Sequence, residues 1–404
     1  MTYFFETYGC QMNIAESAAV EQLLISRGWT KAYDVQVCDL AIINTCSVRQ
    51  TAENRILGRL GWFTGLKALR ACKPGAKSKT LELAAEYVKD GPKPITVVVM
   101  GCMAERLLKS LQKDYPVVDY VIGTYAKNQF GNIISAIENN SNPKNLKLIN
   151  NPEQYEFSAI SLEPGAFSAF VPIMHGCNNF CTYCIVPYVR GREVSRSLDE
   201  ILKEIDVLSK YNVKEITLLG QNVNSYSFEG IDFPTLLERI CDHIEKTQSS
   251  IGWIRFMSSH PKDLSEKLID VISRRKQLCH HIHLPVQHGS TKVLKEMNRR
   301  YTRDDYISLV EKIKKSIPDV SLTTDIMVGF PGETEEDFEE VLSLMNIIMY
   351  ENAFMYYYNL RDGTPASIRT DQITTEVKKE RLQKVIDLQL EITRKQMEKR
   401  VNQN

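Results

Sequence analysis

Apolar runs of strand length alternate with amphipathic stretches of helix length in two successive blocks, and this pattern constrains the fold more than any other feature of the chain. In the first block "TYFFETYG", "LAIINTC", "ITVVVMGC" and "VDYVIG" read as strands with helix-like segments between them. Strands that alternate with helices are joined by crossovers, so they pair in parallel and are covered by helices. Residues 1–138 are therefore expected to form an N-terminal parallel-sheet α/β domain. Residues 64–94 read as an insertion with some helical character, and the Asn- and Pro-rich 139–168 as a linker. The second block, 169–370, offers six strand candidates: "AFVPIMHG", "EITLLG", "WIRFMS", "CHHIHLPVQ", "VSLTTDIMVG" and "AFMYYYN". Helical segments such as Leu198–Tyr211 and Tyr301–Ile317 separate them. Six βα units predict a partial (βα)6 barrel, short of the eight that close a full one. Residues 371–404 are expected to be a charged C-terminal helix.

Bulk properties narrow the function. A chain of 404 residues with 43% hydrophobic side chains is long enough for two or three packed domains. Its 50 basic and 50 acidic residues cancel, so any surface that holds nucleic acid must be local. "MTYFFETYGCQMN" has neither a basic start nor a long apolar core, so no signal peptide is expected. No run approaches the roughly 18 apolar residues of a membrane span. Ten cysteines in such a chain imply reduced thiols in a cytoplasmic protein, where grouped cysteines serve metals or catalysis.

The cysteines fall into two groups. Cys177, Cys181 and Cys184 in "HGCNNFCTYCIVPYVRGR" are spaced C-x3-C-x2-C and have no fourth ligand nearby. Structural zinc is usually closed by four ligands arriving in pairs. Thiolates suit either zinc or iron–sulfur, but a vacancy favours a cluster with one iron left for a non-protein ligand. The loop follows the first barrel strand, on the face where barrel active sites are built. Polar residues end the later strands too: Gln221 and Asn222, Ser258 and Ser259, Gln287, Asp325. Cys10, Cys46 and Cys102 each close a predicted strand in the first block and precede a helix-like stretch. Carboxyl ends of parallel strands share a crevice, so these three could converge, or could simply be small residues filling strand ends. Cys38, Cys72, Cys241 and Cys279 read as ordinary packing or surface thiols.

The C-x3-C-x2-C spacing, with Tyr183 before its last cysteine, resembles the radical S-adenosylmethionine superfamily. Longer segments extend the likeness: "YGCQMNIAES", "NTCSVRQTAENR", "GCMAER", "LLGQNVNSY", "SSHP", "HLPVQHGS" and "TDIMVGFPGETEEDF". Together they resemble the methylthiotransferases, most closely the MiaB-type branch. That branch installs a 2-methylthio group on N6-isopentenyladenosine 37 in the anticodon loop of tRNA. The resemblance implies a [4Fe–4S] cluster on Cys177, Cys181 and Cys184 whose open iron binds S-adenosylmethionine. It implies a second, auxiliary [4Fe–4S] cluster on Cys10, Cys46 and Cys102 that carries the sulfur to be inserted, with no catalytic side chain beyond the clusters. An electron-donor protein and a sulfur source are implied as partners. Alternatives are the same chemistry on threonylcarbamoyladenosine or a ribosomal protein, or a non-catalytic iron–sulfur scaffold.

Tyr183, Gln221, Gln287 and Asp325 are candidates for S-adenosylmethionine contacts. Arg190, Arg192 and Arg196 in "YVRGREVSR" are candidates for tRNA phosphate, which arginine grips through its planar fork. His280, His281 and His283 alternate around a strand and are read as structural rather than as a metal triad. Three departures from the family pattern stand out. The small β-barrel RNA-binding domain called TRAM that usually follows the long helix has no room before Asn404. Asp362 stands where the family usually has proline, and His288 where it has serine.

Overall fold

The computed structural model describes residues 1–47, 50–73, 79–141, 146, 148, 155, 157 and 165–401. Two compact units emerge: Met1–Pro164 together with Tyr188–Gly191, and Gly165–Pro187 together with Arg192–Asn404.

The first unit contains β1 (Thr2–Thr7), α1 (Gln11–Ser26), β2 (Thr30–Lys31), β3 (Leu40–Thr45) and α2 (Gln50–Arg70). There follow α3 (Glu82–Tyr87), β4 (Thr96–Gly101), α4 (Cys102–Arg106), α5 (Leu111–Asp114), β5 (Tyr120–Ile122) and α6 (Phe130–Glu138). The strands form one parallel sheet in the order β2-β1-β3-β4-β5. Side chains alternate across it, as a period of two requires. Ala41, Ile43, Val97 and Val99 pack with Ile56, Leu60 and Phe63 of α2. Leu40, Ile42, Val98 and Met100 pack on the other face with Leu24 of α1 and Phe130, Ile133 and Ile134 of α6.

Two expected connections are partly described. Residues 64–70 are the last turns of α2 rather than inserted chain, and Leu66, Leu81 and Ala84 belong to the core. Arg70 anchors this region: it is fully buried and donates to the carbonyls of Gln36, Cys38 and Lys93. Most of the expected linker lies outside the described residues, but Leu146 and Leu148 pack against the first unit's core.

In the second unit β6 (Ser168–Pro172) and β7 (Met174–His175) lead to α7 (Val186–Arg190), whose last residues belong to the first unit, and to β8 (Val194–Ser195). Next come α8 (Leu198–Lys210), β9 (Glu215–Leu219), β10 (Ser227–Phe228), β11 (Ile231–Asp232), α9 (Phe233–Thr247), β12 (Trp253–Phe256) and α10 (Glu266–Arg274). The chain continues with β13 (His281–His283), α11 (Thr291–Glu296), α12 (Arg303–Ser316), β14 (Ser321–Val328), α13 (Glu335–Ile348), β15 (Asn352–Tyr357) and α14 (Thr375–Arg400). Parallel ladders join β6-β9-β12 and β13-β14-β15, and a single parallel bridge, Ile254 to Leu278, links the two sets. These six principal strands run in chain order with helices between them, the arrangement expected of an incomplete barrel. Side-chain caps start the covering helices: Ser197, Asp232, Ser265, Thr302 and Thr334 each accept from a backbone amide of the first turn. Helix α14 packs on this unit, with Val385 and Ile392 buried and Gln389 donating to Tyr350 O at 3.1 Å.

Candidate functional site

In the first unit the sheet order decides where the cysteines go. β1, β3 and β4 are adjacent and parallel, so Cys46 and Cys102, directly after β3 and β4, and Cys10, three residues after β1, sit along the same carboxyl end of the sheet. The chain reverses its winding between β1 and β3, and open α/β sheets bind their ligands at such a switch point. Buried amides stitch the three loops together. Asn13 Oδ1 accepts from Cys10 N at 3.2 Å, and its Nδ2 donates to Asn44 Oδ1 at 2.9 Å and Thr45 O at 3.1 Å. Asn44 Nδ2 returns a bond to Asn13 O at 2.9 Å. Thr45 Oγ1 donates to Met100 O at 2.5 Å and accepts from Ala104 N at 3.3 Å. Gly101 has φ +96°, and a Cβ there would meet Asn44 Oδ1 and Thr45 O at 2.5 Å, so only glycine fits. Neither Asn13, Asn44 nor Thr45 was singled out from sequence. Their signal is an Asn three residues after Cys10 and an Asn-Thr pair immediately before Cys46.

Burial pushes the Cys102 thiol up to about 12; Arg190 opposes this, while Glu16 and the thiols of Cys10 and Cys46 add to it. The three cysteines are thus electrostatic neighbours. Arg190, expected on an RNA-facing loop, is buried: its Nε–H donates to Cys102 Sγ at 3.2 Å and Nη1 pairs with Glu16 Oε1 at 2.9 Å. Lys127 Nζ reaches the same Glu16 oxygen at 2.7 Å. Burial alone would raise the Glu16 pKa, but Arg190 and Lys127 hold it down at about 2.

In the second unit the C-x3-C-x2-C loop follows β7. The segment after α11 braces it: Asn298 Nδ2 donates to Asn179 O and Phe180 O, both at 3.1 Å, and Thr182 N donates to Met297 O at 3.1 Å. Burial raises the Cys177 thiol to about 11; it raises Cys184 to about 12, with Cys181 and Cys177 adding to the effect. A buried arginine stands here too: Arg299 Nη1 lies 3.6 Å from Cys181 Sγ, and Nη2 donates to Pro285 O at 2.6 Å.

Three of the four expected cofactor contacts share this neighbourhood. Gln287 Oε1 accepts from Tyr356 OH at 2.7 Å, and its Nε2 is 3.4 Å from Asp325 Oδ2. Burial raises the Tyr183 hydroxyl well above its ordinary value, with Arg299, Cys181, Tyr356 and Cys184 as its electrostatic neighbours. Tyr356, missed from sequence, connects Gln287 to the cysteine loop. Its signal is the run of tyrosines ending the last strand.

Gln221 lies after β9, where its buried Oε1 has no partner among the described residues. The same holds for Asn224, Ser259 Oγ and His260 Nε2 in the loops after β9 and β12. Desolvation, helped by Arg299, Lys262 and Arg300, lowers His260 to about 2. Asn222 instead ties these loops together through Asp263 at 2.7 Å and His260 N at 3.1 Å.

The other expected residues have structural roles or remain exposed. Arg196 is buried against Glu204 and donates to Pro172 O at 3.3 Å, so it presents no free fork to phosphate. Arg192 is exposed, its guanidinium 4.5 Å from the Phe180 ring centroid. His281 and His283 both meet Thr323, at 3.1 and 3.0 Å, while His280 pairs with Asp319 at 2.7 Å. His288 is fully buried and contacts Glu333 at 3.1 Å, itself paired with Arg381 at 2.7 Å. Asp362 is exposed in a turn.

Both triads suit a soft metal cluster: they offer only sulfur, with Cys46, Cys102, Cys177 and Cys181 buried, Cys184 half-buried and Cys10 exposed. Among the described residues no three His, Cys, Asp or Glu side chains gather as ligands of a single ion. Cysteines that hold a four-iron cluster bind different irons and stand farther apart than the ligands of one ion. The partnerless polar atoms after β9 and β12 add a buried demand for hydrogen bonds that a polar cofactor can meet.

Comparison with known proteins follows the division into units. Residues 171–345 match the Radical SAM superfamily, and residues 2–123 match "Uncharacterized protein family UPF0004". A tRNA-2-methylthio-N(6)-dimethylallyladenosine synthase of Treponema pallidum (strain Nichols) is 52% identical over 99% of this chain and 86% of that protein. The synthase of that name from Carboxydothermus hydrogenoformans is 42% identical over 96% and 83%. Among solved structures, the radical S-adenosylmethionine methyltransferase TsrM from Kitasatospora setae, with cobalamin and a [4Fe-4S] cluster bound, superposes with a TM-score of 0.63. It covers 91% of this chain and 77% of that one at 12% identity, a likeness of fold alone.

Proposed function

This chain belongs to the MiaB-type methylthiotransferases of the radical S-adenosylmethionine superfamily, and on that premise we propose that it converts N6-isopentenyladenosine 37 of tRNA to its 2-methylthio derivative. The observation that carries this reading is the pair of three-cysteine sites, one per unit, each with a buried arginine on a cysteine sulfur. An electron carrier generally fills all four cluster positions with protein ligands, so two vacancies argue for two bound reactants. When bound, a cluster at Cys177, Cys181 and Cys184 supplies the electron that cleaves S-adenosylmethionine to a 5′-deoxyadenosyl radical, and one at Cys10, Cys46 and Cys102 carries the sulfur destined for C2 of the adenine.

The protein's side chains supply placement. Gln287, Asp325 and Tyr356 form a linked polar set beside Tyr183, suited to the amino acid and ribose of S-adenosylmethionine. Gln221, Asn224 and Ser259 offer further hydrogen bonds, and the apolar packing of Tyr183 and Tyr356 against Met297, Met327 and Phe330 limits water near the radical. His260, kept neutral by burial and neighbouring cations, can donate or accept without adding charge. Of the three arginines, Arg192 alone is left as a phosphate contact, and the target base leaves its stack to react. No helix among the described residues is long and apolar enough to cross a membrane. A cytoplasmic setting, with a protein electron donor and a sulfur source, completes the reading.

The test is anaerobic incubation of the reconstituted chain with isopentenyladenosine-37 tRNA, S-adenosylmethionine, reductant and sulfide, followed by mass spectrometry of the nucleosides. A 2-methylthio product supports the assignment. 5′-Deoxyadenosine without that product leaves radical cleavage standing and refutes the substrate.

A further inference from the structure

We propose that Arg190 is a positioning residue of the auxiliary site, holding the Cys102 thiolate through its Nε–H and thereby setting the reduction potential of what that thiolate ligates. The inference rests on the reading of Cys10, Cys46 and Cys102 as cluster ligands. Its geometric basis is the 3.2 Å contact from Arg190 Nε to Cys102 Sγ, made while Nη1 pairs with Glu16. The fork is thus divided between a sulfur and a carboxylate. Glu16 has a second cation in Lys127, at 2.7 Å, so pairing with Glu16 leaves the bond to sulfur unexplained. The Arg190 side chain is almost wholly buried, at 3% exposure, as are Glu16 at 3% and Lys127 at 4%. Charge–dipole effects are poorly screened in such a place.

The backbone carrying Arg190 is also fixed. Thr124 Oγ1 donates to Val189 O at 2.7 Å, and Thr124 N donates to Glu105 Oε2 at 2.7 Å. Gly191 has φ +65°, and a Cβ there would collide with the Tyr125 hydroxyl. Residues 188–191 are therefore seated in the first unit by their own contacts, and they deliver one guanidinium to one cysteine. Donors to cluster sulfurs and nearby positive charge stabilise the more electron-rich state, which raises the potential. Loss of the Nε donor should make the cluster harder to reduce.

The experiment uses the full-length chain with Cys177→Ala, Cys181→Ala and Cys184→Ala, so that only the auxiliary site binds iron. Iron is counted after reconstitution, and the potential is read by redox titration followed by EPR. Arg190→Lys keeps a cation for Glu16 but has no Nε fork. Arg190→Met removes both. The parent should bind about four irons per chain, and Arg190→Lys should bind the same amount while titrating at a more negative potential. Arg190→Met should shift at least as far. Should Arg190→Met fail to fold or load, the lysine variant decides by itself. A lysine variant that titrates at the parent's potential overturns the proposal and leaves Arg190 as a counter-ion only. If the parent takes up no iron, the cluster assignment for Cys10, Cys46 and Cys102 falls, and this inference with it.

Discussion

Glu16→Gln removes the carboxylate that Arg190 and Lys127 share inside the first unit, and its cost can be worked from the structure. The Glu16 carboxyl is held at about 2 from an ordinary value of 4.5. That difference corresponds to about 3 kcal/mol of differential stabilisation of the charged form. Leaving two buried cations with their shared partner removed costs on the same scale, about 3–5 kcal/mol. The pH dependence has a definite sign. A carboxyl whose pKa is depressed in the folded state contributes in full above its unfolded value of 4.5, and that contribution disappears as pH falls through about 2. The destabilisation by glutamine should therefore be about 3 kcal/mol or more at neutral pH, roughly 1 kcal/mol less near pH 3.5, and vanishing at still lower pH. Urea unfolding of the metal-free chain measures it, with Trp29 fluorescence as the probe. Trp29 is buried in the same unit and donates to Glu138 at 2.8 Å. A neutral-pH difference below about 1 kcal/mol, or one that grows on acidification, would refute the buried-pair account.

Asn13→Ala leaves the buried Asn44 Oδ1 and Thr45 O without their donor, and should cost about 2–5 kcal/mol in the same unfolding assay. Replacing Cys10, Cys46 and Cys102 by alanine should halve the iron of the reconstituted chain, from about eight to about four, while 5′-deoxyadenosine still forms and the methylthio product does not. Tyr356→Phe deletes one hydrogen bond to Gln287, and should weaken S-adenosylmethionine binding about five- to tenfold in equilibrium dialysis. His288→Ser breaks a fully buried contact with Glu333 and should destabilise the second unit by about 1–3 kcal/mol with radical cleavage retained.

Much was legible from local patterns because the forces behind them are local. Strand candidates such as "LAIINTC" and "VSLTTDIMVG" fall on β3 and β14, since short segments rich in Ile, Val, Leu and Thr, bounded by helix-like stretches, suit strands of a parallel sheet. The C-x3-C-x2-C loop places its thiols close together through chain connectivity alone. Residues 64–70 were misread because helix α2 carries charge on its outer face, and only packing of Leu66 and Arg70 shows that it continues.

What the amino-acid order settled by itself is the βα rhythm, the two cysteine groups and the family. What tertiary structure decided is which distant residues meet. The order β2-β1-β3-β4-β5 brings Cys10, Cys46 and Cys102 to the same carboxyl end of the sheet, and strand order is set by packing between elements rather than by any one segment. The arginines show the same division. From sequence, Arg190 and Arg196 are cations near a cluster loop, equally fit for phosphate or for a buried carboxylate. Glu16, far away in the chain, claims Arg190, and Glu204 claims Arg196. A guanidinium's role follows from its partner, and only the folded chain brings that partner to it.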